Sequence, residues 1–409
     1  MNRQLLRINT GAADTSLFTV GFNNSFFIRR PWAILSDKVR ARFRKDFQNN
    51  VGFGTTYSYQ YPKDGVLLED VYLQMKISAV VGAGVGTYAR LCDFIGYAAI
   101  KNIRLNYTQN NLMILKPNHY FTKHIRDYNV NNQEIFDSMV KGNLTAAERN
   151  TLAASAQYVR IPLKLFWDQL PCHTPVITAL AQHLSLDIEF QDKENIIQTD
   201  YTLGATATLD QLTFIYDVIN FTGEDRDQAS VPTFGARGQT FLIEETKSQD
   251  AVKIPAGSTE FTHKFTGFTA PFSNIYFLFQ KNSDLITPYA RKPFEITAAD
   301  LNLISDYTLK DGELEIQKIQ VNRGELQEQW QKRHKISKFR KPLGFLSVTE
   351  VADIKNQNLG SLNASNMNDF TFTINFTSAL PVDYAISFVF FQHNWLNHQA
   401  GEFQRAFNL

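Results

Sequence analysis

The chain has 409 residues, and its 41 Lys and Arg against 40 Asp and Glu leave a formal charge of +1, which excludes both a strongly basic nucleic-acid binder and an acidic solvating tail. A hydrophobic share of 44%, with 33 Phe, 16 Tyr and only 4 Trp, excludes wholesale disorder, and at about 150 residues per domain the length fits two large β domains. Two cysteines, Cys92 and Cys172, cannot build a disulfide framework, suit a reducing compartment and are too few for a structural zinc site without well-spaced histidines.

The amino end, MNRQLLRINTGAADTS, lacks the apolar stretch of a secretory signal, and no apolar run nears the roughly 18 residues of a membrane span, so an intracellular, non-secreted protein is expected. A basic stretch follows, with Arg29, Arg30, Lys38, Arg40, Arg42, Arg44 and Lys45 set against Asp37 alone. It reads as a solvated or subunit-contacting segment, or else as a phosphate-facing patch.

Period-two alternation then dominates. Val71, Leu73, Met75, Ile77 and Ala79 oppose Tyr72, Gln74, Lys76 and Ser78, which predicts a half-buried strand. Val81-Gly82-Ala83-Gly84-Val85-Gly86 has the spacing G-x-G-x-G with Thr87 where a dinucleotide fingerprint needs glycine, so an inter-strand loop is expected. A strand is read at Asn102–Tyr107, and Thr145-Ala-Ala-Glu148 is a capping box opening a short helix towards Ser155. Strands follow at Leu184–Phe190 and Leu212–Val218. The polar segment Phe221–Gln239, with glycine and proline and no alternation, reads as a link between two sandwiches.

Beyond it, strands are expected at Thr240–Glu244, Phe261–Phe268, Ile275–Phe279, Leu314–Val321, Phe370–Phe376 and Ile386–Phe391. Thr297-Ala-Ala-Asp300 marks a second short helix start, and Leu326 and Trp330 share one face of a third helix within Gly324–His334. A second basic run, Lys332 to Lys341, reads as a solvated loop. Few short helices between many strands exclude a doubly wound parallel sheet and predict antiparallel sandwiches.

No catalytic constellation emerges. The histidine pairs 119/124 and 393/398 are five apart, off the spacing that sets two ligands on one helical face, and no H-x-H supplies same-face strand ligands. There is no G-x-S-x-G elbow and no phosphate-cradling loop ending in Gly-Lys-Ser or Gly-Lys-Thr. The neighbours Glu244/Glu245 and Glu313/Glu315 are the pairs that chance supplies among 40 acids. No cofactor, metal or enzymatic activity is therefore expected. Sequons at Asn23, Asn106, Asn143, Asn220, Asn363 and Asn375 read as coincidence in a chain without a secretory signal.

Three segments carry a family resemblance. In Ile161–Phe190, Pro162, Phe166, Trp167, Pro171 and Pro175 precede the strand Leu184–Phe190. In Gly360–Phe376, Gly360, Ser361, Asn363, Ser365 and Asp369 lead into an alternating strand. The tail Phe388–Phe403 reads FVFFQHNWLNHQAGEF. Together, and in this order, they resemble the double jelly-roll major capsid proteins of nucleocytoplasmic large DNA viruses and their relatives, the PRD1–adenovirus lineage. Gly65–Ile77, Ile100–Tyr107 and Phe221–Gln228 agree more weakly. Asn366 and Ala364 stand where the family has an arginine and an aromatic residue.

The resemblance implies an all-β fold of two consecutive eight-stranded antiparallel jelly rolls with short helices in loops. It divides the chain into an N-terminal arm and entry segment at 1–50, a first roll at 51–225 and a second at 226–409. It implies a structural protein of the virion that trimerises into pseudo-hexagonal capsomers tiling an icosahedral shell. Its partners would be further copies of itself, minor capsid and penton proteins and an internal membrane, without sequence-specific nucleic-acid binding. A same-fold scaffolding protein and a β-sandwich carbohydrate-binding protein are the alternatives. Arg29, Arg30, Arg40, Arg42, Arg44 and Lys45 would lie on an inward-turned arm as assembly contacts, so replacing Arg40, Arg42 and Arg44 by Glu is expected to spare the trimer and impair the shell.

Overall fold

A computed structural model describes residues 38–47, 51–62, 67–108, 110–127, 130–166, 182–221, 239–268, 270–334, 341–348, 362–363, 367, 369–399 and 402–405. Sixteen strands form four four-stranded cores of sheet. The first eight are β1 (Lys38–Asp46), β2 (Thr56–Gln60), β3 (Leu67–Ile77), β4 (Ile100–Tyr107), β5 (Asn110–Leu115), β6 (Gln157–Pro162), β7 (Leu184–Phe190) and β8 (Leu209–Phe221). Their sheets run β1-β8-β3-β6 and β2-β7-β4-β5, with every pairing antiparallel.

The next eight are β9 (Gln239–Ile254), β10 (Glu260–Lys264), β11 (Pro271–Lys281), β12 (Ile304–Asp311), β13 (Leu314–Gln320), β14 (Gly344–Ser347), β15 (Phe370–Phe376) and β16 (Tyr384–Gln399). They repeat the order as β9-β16-β11-β14 and β10-β15-β12-β13. In both halves the first strand pairs the eighth, the second the seventh, the third both the sixth and the eighth, and the fourth both the fifth and the seventh. That nesting is a jelly roll, and the chain contains it twice. Short strands at Leu362–Asn363 and Glu402–Arg405 extend the second roll's first sheet.

Alternation makes the sheets. Val71, Leu73, Met75 and Ile77 of β3 are fully buried, as are Leu184, Leu186, Ile188 and Phe190 of β7. Rings cross the first sandwich from β2 to β8, with Tyr59 4.2 Å and Tyr61 5.1 Å from Phe214. In the second, Phe277 of β11 lies 5.3 Å from Phe372 of β15, and Phe372 lies 5.1 Å from Phe388 of β16. Each such ring removes on the order of 150–250 Å² from water, which makes these contacts the main source of sandwich stability.

Seven helices lie among the described residues: α1 (Ile95–Ala98), α2 (Pro117–Asp127), α3 (Val130–Val140), α4 (Ala146–Ala153), α5 (Ser283–Ile286), α6 (Ala298–Leu301) and α7 (Glu325–His334). The capping box forms at α4, where the Thr145 hydroxyl accepts from the Glu148 amide and the Glu148 carboxylate accepts from the Thr145 amide. Thr297 caps α6, and Leu326 and Trp330 of α7 are buried. The helices α2 and α3 were not expected from the sequence. The stripe Tyr120, Phe121, Ile125 of α2 is interrupted by Lys123 and His124, which are themselves buried. In both rolls the longest helices sit between the fifth or sixth position of the nesting, in the β5–β6 and β13–β14 connections.

The predicted strand Phe261–Phe268 stops at Lys264, and within the entry segment of residues 1–50 lies β1, a strand not expected from the sequence. Val39, Ala41 and Phe43 alternate with Arg40, Arg42 and Arg44, so the segment is a strand with one basic face, paired with β8 from Lys38↔Phe221 to Asp46↔Thr213. The link Phe221–Gln239 lies, but for its two end residues, outside the described residues. So do Trp167, Pro171, Pro175, Gly360 and Ser361.

Candidate functional site: the seam between the rolls and the basic first sheet

The two rolls are joined side by side, and the join is polar as well as apolar. Helix α2, from the first roll, lies across β9 and β16 of the second. Arg126 donates through Nη1 and Nη2 to both carboxylate oxygens of Glu244 at 2.7 Å and through Nε to Asp127 at 2.6 Å, and its guanidinium lies 4.1 Å over the Phe391 ring. Burial disfavours the Arg126 charge, but Asp127 and Glu244 outweigh it and raise the pKa further. Such a planar two-point pair fixes relative position more than it adds stability, because desolvation offsets much of the attraction. At the helix start, Asn118 donates to the Ser387 hydroxyl at 3.3 Å and Lys116 to Asp250 at 2.9 Å.

A second cluster centres on Gln198. Its Oε1 accepts from Arg90 at 3.0 Å and Arg149 at 3.1 Å, while its Nε2 donates to the Arg291 carbonyl at 2.7 Å and to Glu295 at 3.0 Å. Arg149 also pairs with Glu295 at 2.7 Å. Burial alone would raise the Glu295 carboxyl, yet Gln198 and Arg149 hold it below the usual range. Close by, the Cys92 thiol donates to the Arg291 carbonyl at 3.2 Å, and burial pushes its pKa up to about 12, so it is an inert thiol. Backbone bonds complete the join, from Thr199 N–H to the Tyr289 carbonyl at 2.9 Å and from Tyr289 N–H to the Glu194 carbonyl at 2.8 Å.

Apolar contacts run between the polar ones. Phe294 of the second roll stacks on Phe121 at 4.6 Å and meets Phe94 edge-on at 6.3 Å. Lys341 pairs with the buried Asp93 at 3.1 Å, and burial nevertheless raises the Asp93 pKa. Phe403 returns to the first roll, 5.4 Å from Tyr107 and 6.2 Å from Phe166. The weld draws on both halves and on connections far apart in sequence.

His119, His124 and His393 are buried and serve packing. His124 bridges the Tyr97 hydroxyl at 2.9 Å and Asp137 at 2.7 Å. His119 accepts from the Lys116 amide at 3.1 Å, and burial, with Lys123 and Lys116 adding to it, pushes its pKa down to about 3, which keeps it neutral. Burial likewise lowers the His393 pKa. No cluster of metal-ligating side chains occurs among the described residues, and no helix there is long and apolar enough to cross a membrane. In the glycine loop, a Cβ on Gly82 would stand 2.4 Å, and one on Gly86 2.5 Å, from the Tyr201 ring, so these glycines admit an aromatic side chain and not a phosphate. Asp200 clamps the loop through the Thr87 hydroxyl at 2.5 Å and the Tyr88 and Thr87 amides at 2.9 Å, which bring its pKa down to about 2.

Of the basic residues singled out in the sequence, Arg29 and Arg30 lie outside the described residues. Arg40, Arg42, Arg44 and Lys45 are in β1. Arg42 grips the buried Asp217 through Nε and Nη2, both at 2.6 Å, and Arg40 pairs with Glu69 at 2.5 Å. The Arg160 guanidinium on β6 lies 4.1 Å over Tyr72. This sheet face thus carries Arg40, Arg42, Arg44 and Arg160, the first two held in ion pairs with Glu69 and Asp217. Sequence reasoning missed the seam residues Arg126, Arg149, Glu244 and Glu295. The legible sign was Glu244-Glu245 directly after the apolar run Phe241–Ile243, because adjacent strand residues point to opposite faces and two such acids cannot both face solvent.

Comparison with known proteins follows the fold. Residues 39–231 match the family described as major capsid protein N-terminus. Among solved structures, the chain is similar to a chain of the PBCV-1 virus capsid, with a TM-score of 0.71 and 13% identity over 91% of this chain and 98% of that one. It is similar to the Faustovirus major capsid protein, with a TM-score of 0.66 and 9% identity over 96% of each chain. The mavirus major capsid protein gives a TM-score of 0.54 and 11% identity over 90% of each. No curated protein sequence matches. At these identities the structures speak for the fold, and they bear out the double jelly roll and the resemblance read from the sequence motifs.

Proposed function

We propose that this chain is a double jelly-roll major capsid protein, a structural component of an icosahedral virion of a DNA virus with no reaction to perform. The observation that carries the reading is the duplicated nesting of strands, welded side by side, with residues 39–231 matching the capsid family. Two rolls of one topology give each chain two similar blocks, so three chains make a closed ring of six. Such a ring has a pseudo-hexagonal outline and tiles a flat facet, and a rigid weld between the two blocks is what tiling requires of the protomer.

In finer detail, the first roll ends and the second begins within residues 222–238, near the division at 225 drawn from the sequence. Arg29 and Arg30 belong to an amino-terminal arm, and the basic residues of β1 are assembly contacts. Neighbouring capsomers, minor capsid and penton proteins and an underlying membrane are the partners of the assembled shell. The test is the native mass of the purified full chain with negative-stain imaging. Three copies of the 46.7 kDa chain give about 140 kDa and a six-sided outline. A chain that stays monomeric at every concentration overturns the reading.

A further inference from the structure

The seam beneath α2 holds more buried hydrogen-bond donors than the two rolls satisfy between them. Three contacts fix how the helix lies on the second roll. Lys116 bonds Asp250 and Asn118 bonds Ser387 at its start, and Arg126 bonds Glu244 at its end. Residues three and four apart share a helical face, so Thr122 and Lys123 lie with Arg126 on the side turned to β9 and β16. Residues two apart share a strand face, so Thr246 and Ser248 stand between Glu244 and Asp250 on the side that α2 covers. The middle of the helix thus falls opposite the middle of that row.

Among the described residues, the Lys123 Nζ and the hydroxyls of Thr122, Thr246 and Ser248 are shielded from water and have no hydrogen-bond partner. Lys123 is 2% exposed, Thr122 0% and Thr246 6%. The two carboxylates whose charge reaches Lys123, those of Glu244 and Asp127, are both bonded by Arg126. Folded proteins rarely leave one such group unpaired, and here four share one seam.

We propose that this seam is a binding site for a single halide-sized anion, held by the Lys123 ammonium and the Thr122 hydroxyl from the first roll and by the Thr246 and Ser248 hydroxyls from the second. The chemistry of the donors selects the ligand. An ammonium and three hydroxyls all offer hydrogen, and an anion accepts from every direction. A helix packed directly on a sheet leaves gaps of about the size of a water molecule, which suits chloride and excludes a phosphate. Because each roll supplies half of the donors, the bound ion ties the rolls together, and the weld strengthens with halide concentration by mass action. This inference does not depend on the capsid reading, and its failure would leave that reading as it stands.

The test is thermal unfolding of the full chain at pH 7, where the Lys123 ammonium is charged, in sodium chloride and in sodium gluconate of equal ionic strength, which holds screening constant. Chloride is expected to raise the wild-type midpoint by roughly 2–4 °C over gluconate. Lys123→Met and Thr246→Val are each expected to lose that difference. In gluconate Lys123→Met is expected to unfold above wild type, because it carries no buried charge, and chloride is expected to narrow the gap. Crystals grown in bromide are expected to show an anomalous peak between Lys123 and Thr246. Equal wild-type midpoints in the two salts, with no bromide peak, mean that water fills the seam and overturn the proposal. A chloride effect that persists in both variants places the ion elsewhere and overturns it too.

Discussion

The two rolls share one strand order and almost nothing else. The first is filled by aliphatic side chains around a tyrosine cluster, Tyr59, Tyr61 and Tyr216 about Phe214. The second is filled by phenylalanine, with Phe265 alone lying 4.9 Å from both Phe388 and Phe390. One topology tolerates both fillings because nesting is set by where the chain turns and which face of each strand is apolar. The outer faces differ more tellingly. In β1 the outer positions are Arg40, Arg42 and Arg44, whereas in β16 they include Val389 and Phe391, both fully buried under α2. A strand covered on both sides loses its alternation, and this is why Phe388–Phe391 reads as an unbroken apolar run.

The sharpest way to break the comparison is through the cores. Phe388→Ala should cost about 4 kcal/mol of stability, against about 3 kcal/mol for Leu73→Ala in the first roll, because the larger ring leaves the larger cavity. Denaturant unfolding of both variants checks the difference, and equal costs would mean that the aromatic core relaxes as well as the aliphatic one. Next comes the seam. Glu244→Ala should cost about 3 kcal/mol by removing the two-point partner of Arg126, while Arg126→Met/Glu244→Leu should cost less than that, its remaining loss coming from Asp127, which also pairs with Arg126. If the double variant is as damaged as the single one, the pair contributes attraction beyond its desolvation.

A smaller effect separates the seam from the rolls themselves. Burial brings the Lys123 pKa from 10.5 down to about 8. The unfolded chain therefore holds this proton more tightly between about pH 8 and 10.5, and wild-type stability rises with pH across that window. Lys123→Met should be more stable than wild type by roughly 2 kcal/mol below pH 8, with the advantage fading towards pH 10.5. Thermal unfolding between pH 7 and 10 reads this directly. An advantage that does not change with pH would place the Lys123 ammonium in contact with water.

What the sequence made legible was whatever repeats locally. The zigzag of β3, β7, β15 and the rest named the strands, and the capping box at Thr145 and the N-cap at Thr297 named two helix starts. β1 escaped because its five positive charges, Lys38, Arg40, Arg42, Arg44 and Lys45, hide the alternation of Val39, Ala41 and Phe43. Helix α2 escaped because its buried face includes His119, Lys123 and His124, residue types that local patterns assign to solvent. The seam was illegible for a different reason. Arg126 and Glu244 are 118 residues apart, and Cys92 and Arg291 are 199 apart, so no local pattern relates them. Only the fold brings them together, and the order of the family motifs was the one long-range clue.

The open side of β1 has a consequence for how such a protein survives before it assembles. Among the described residues β1 bonds to β8 and to no strand beyond it, so its free backbone amides and carbonyls are a template for another strand. A chain made in many copies is in constant danger of zipping edge to edge into fibres. Arginine at every second position makes two such edges repel, which works against such pairing before assembly.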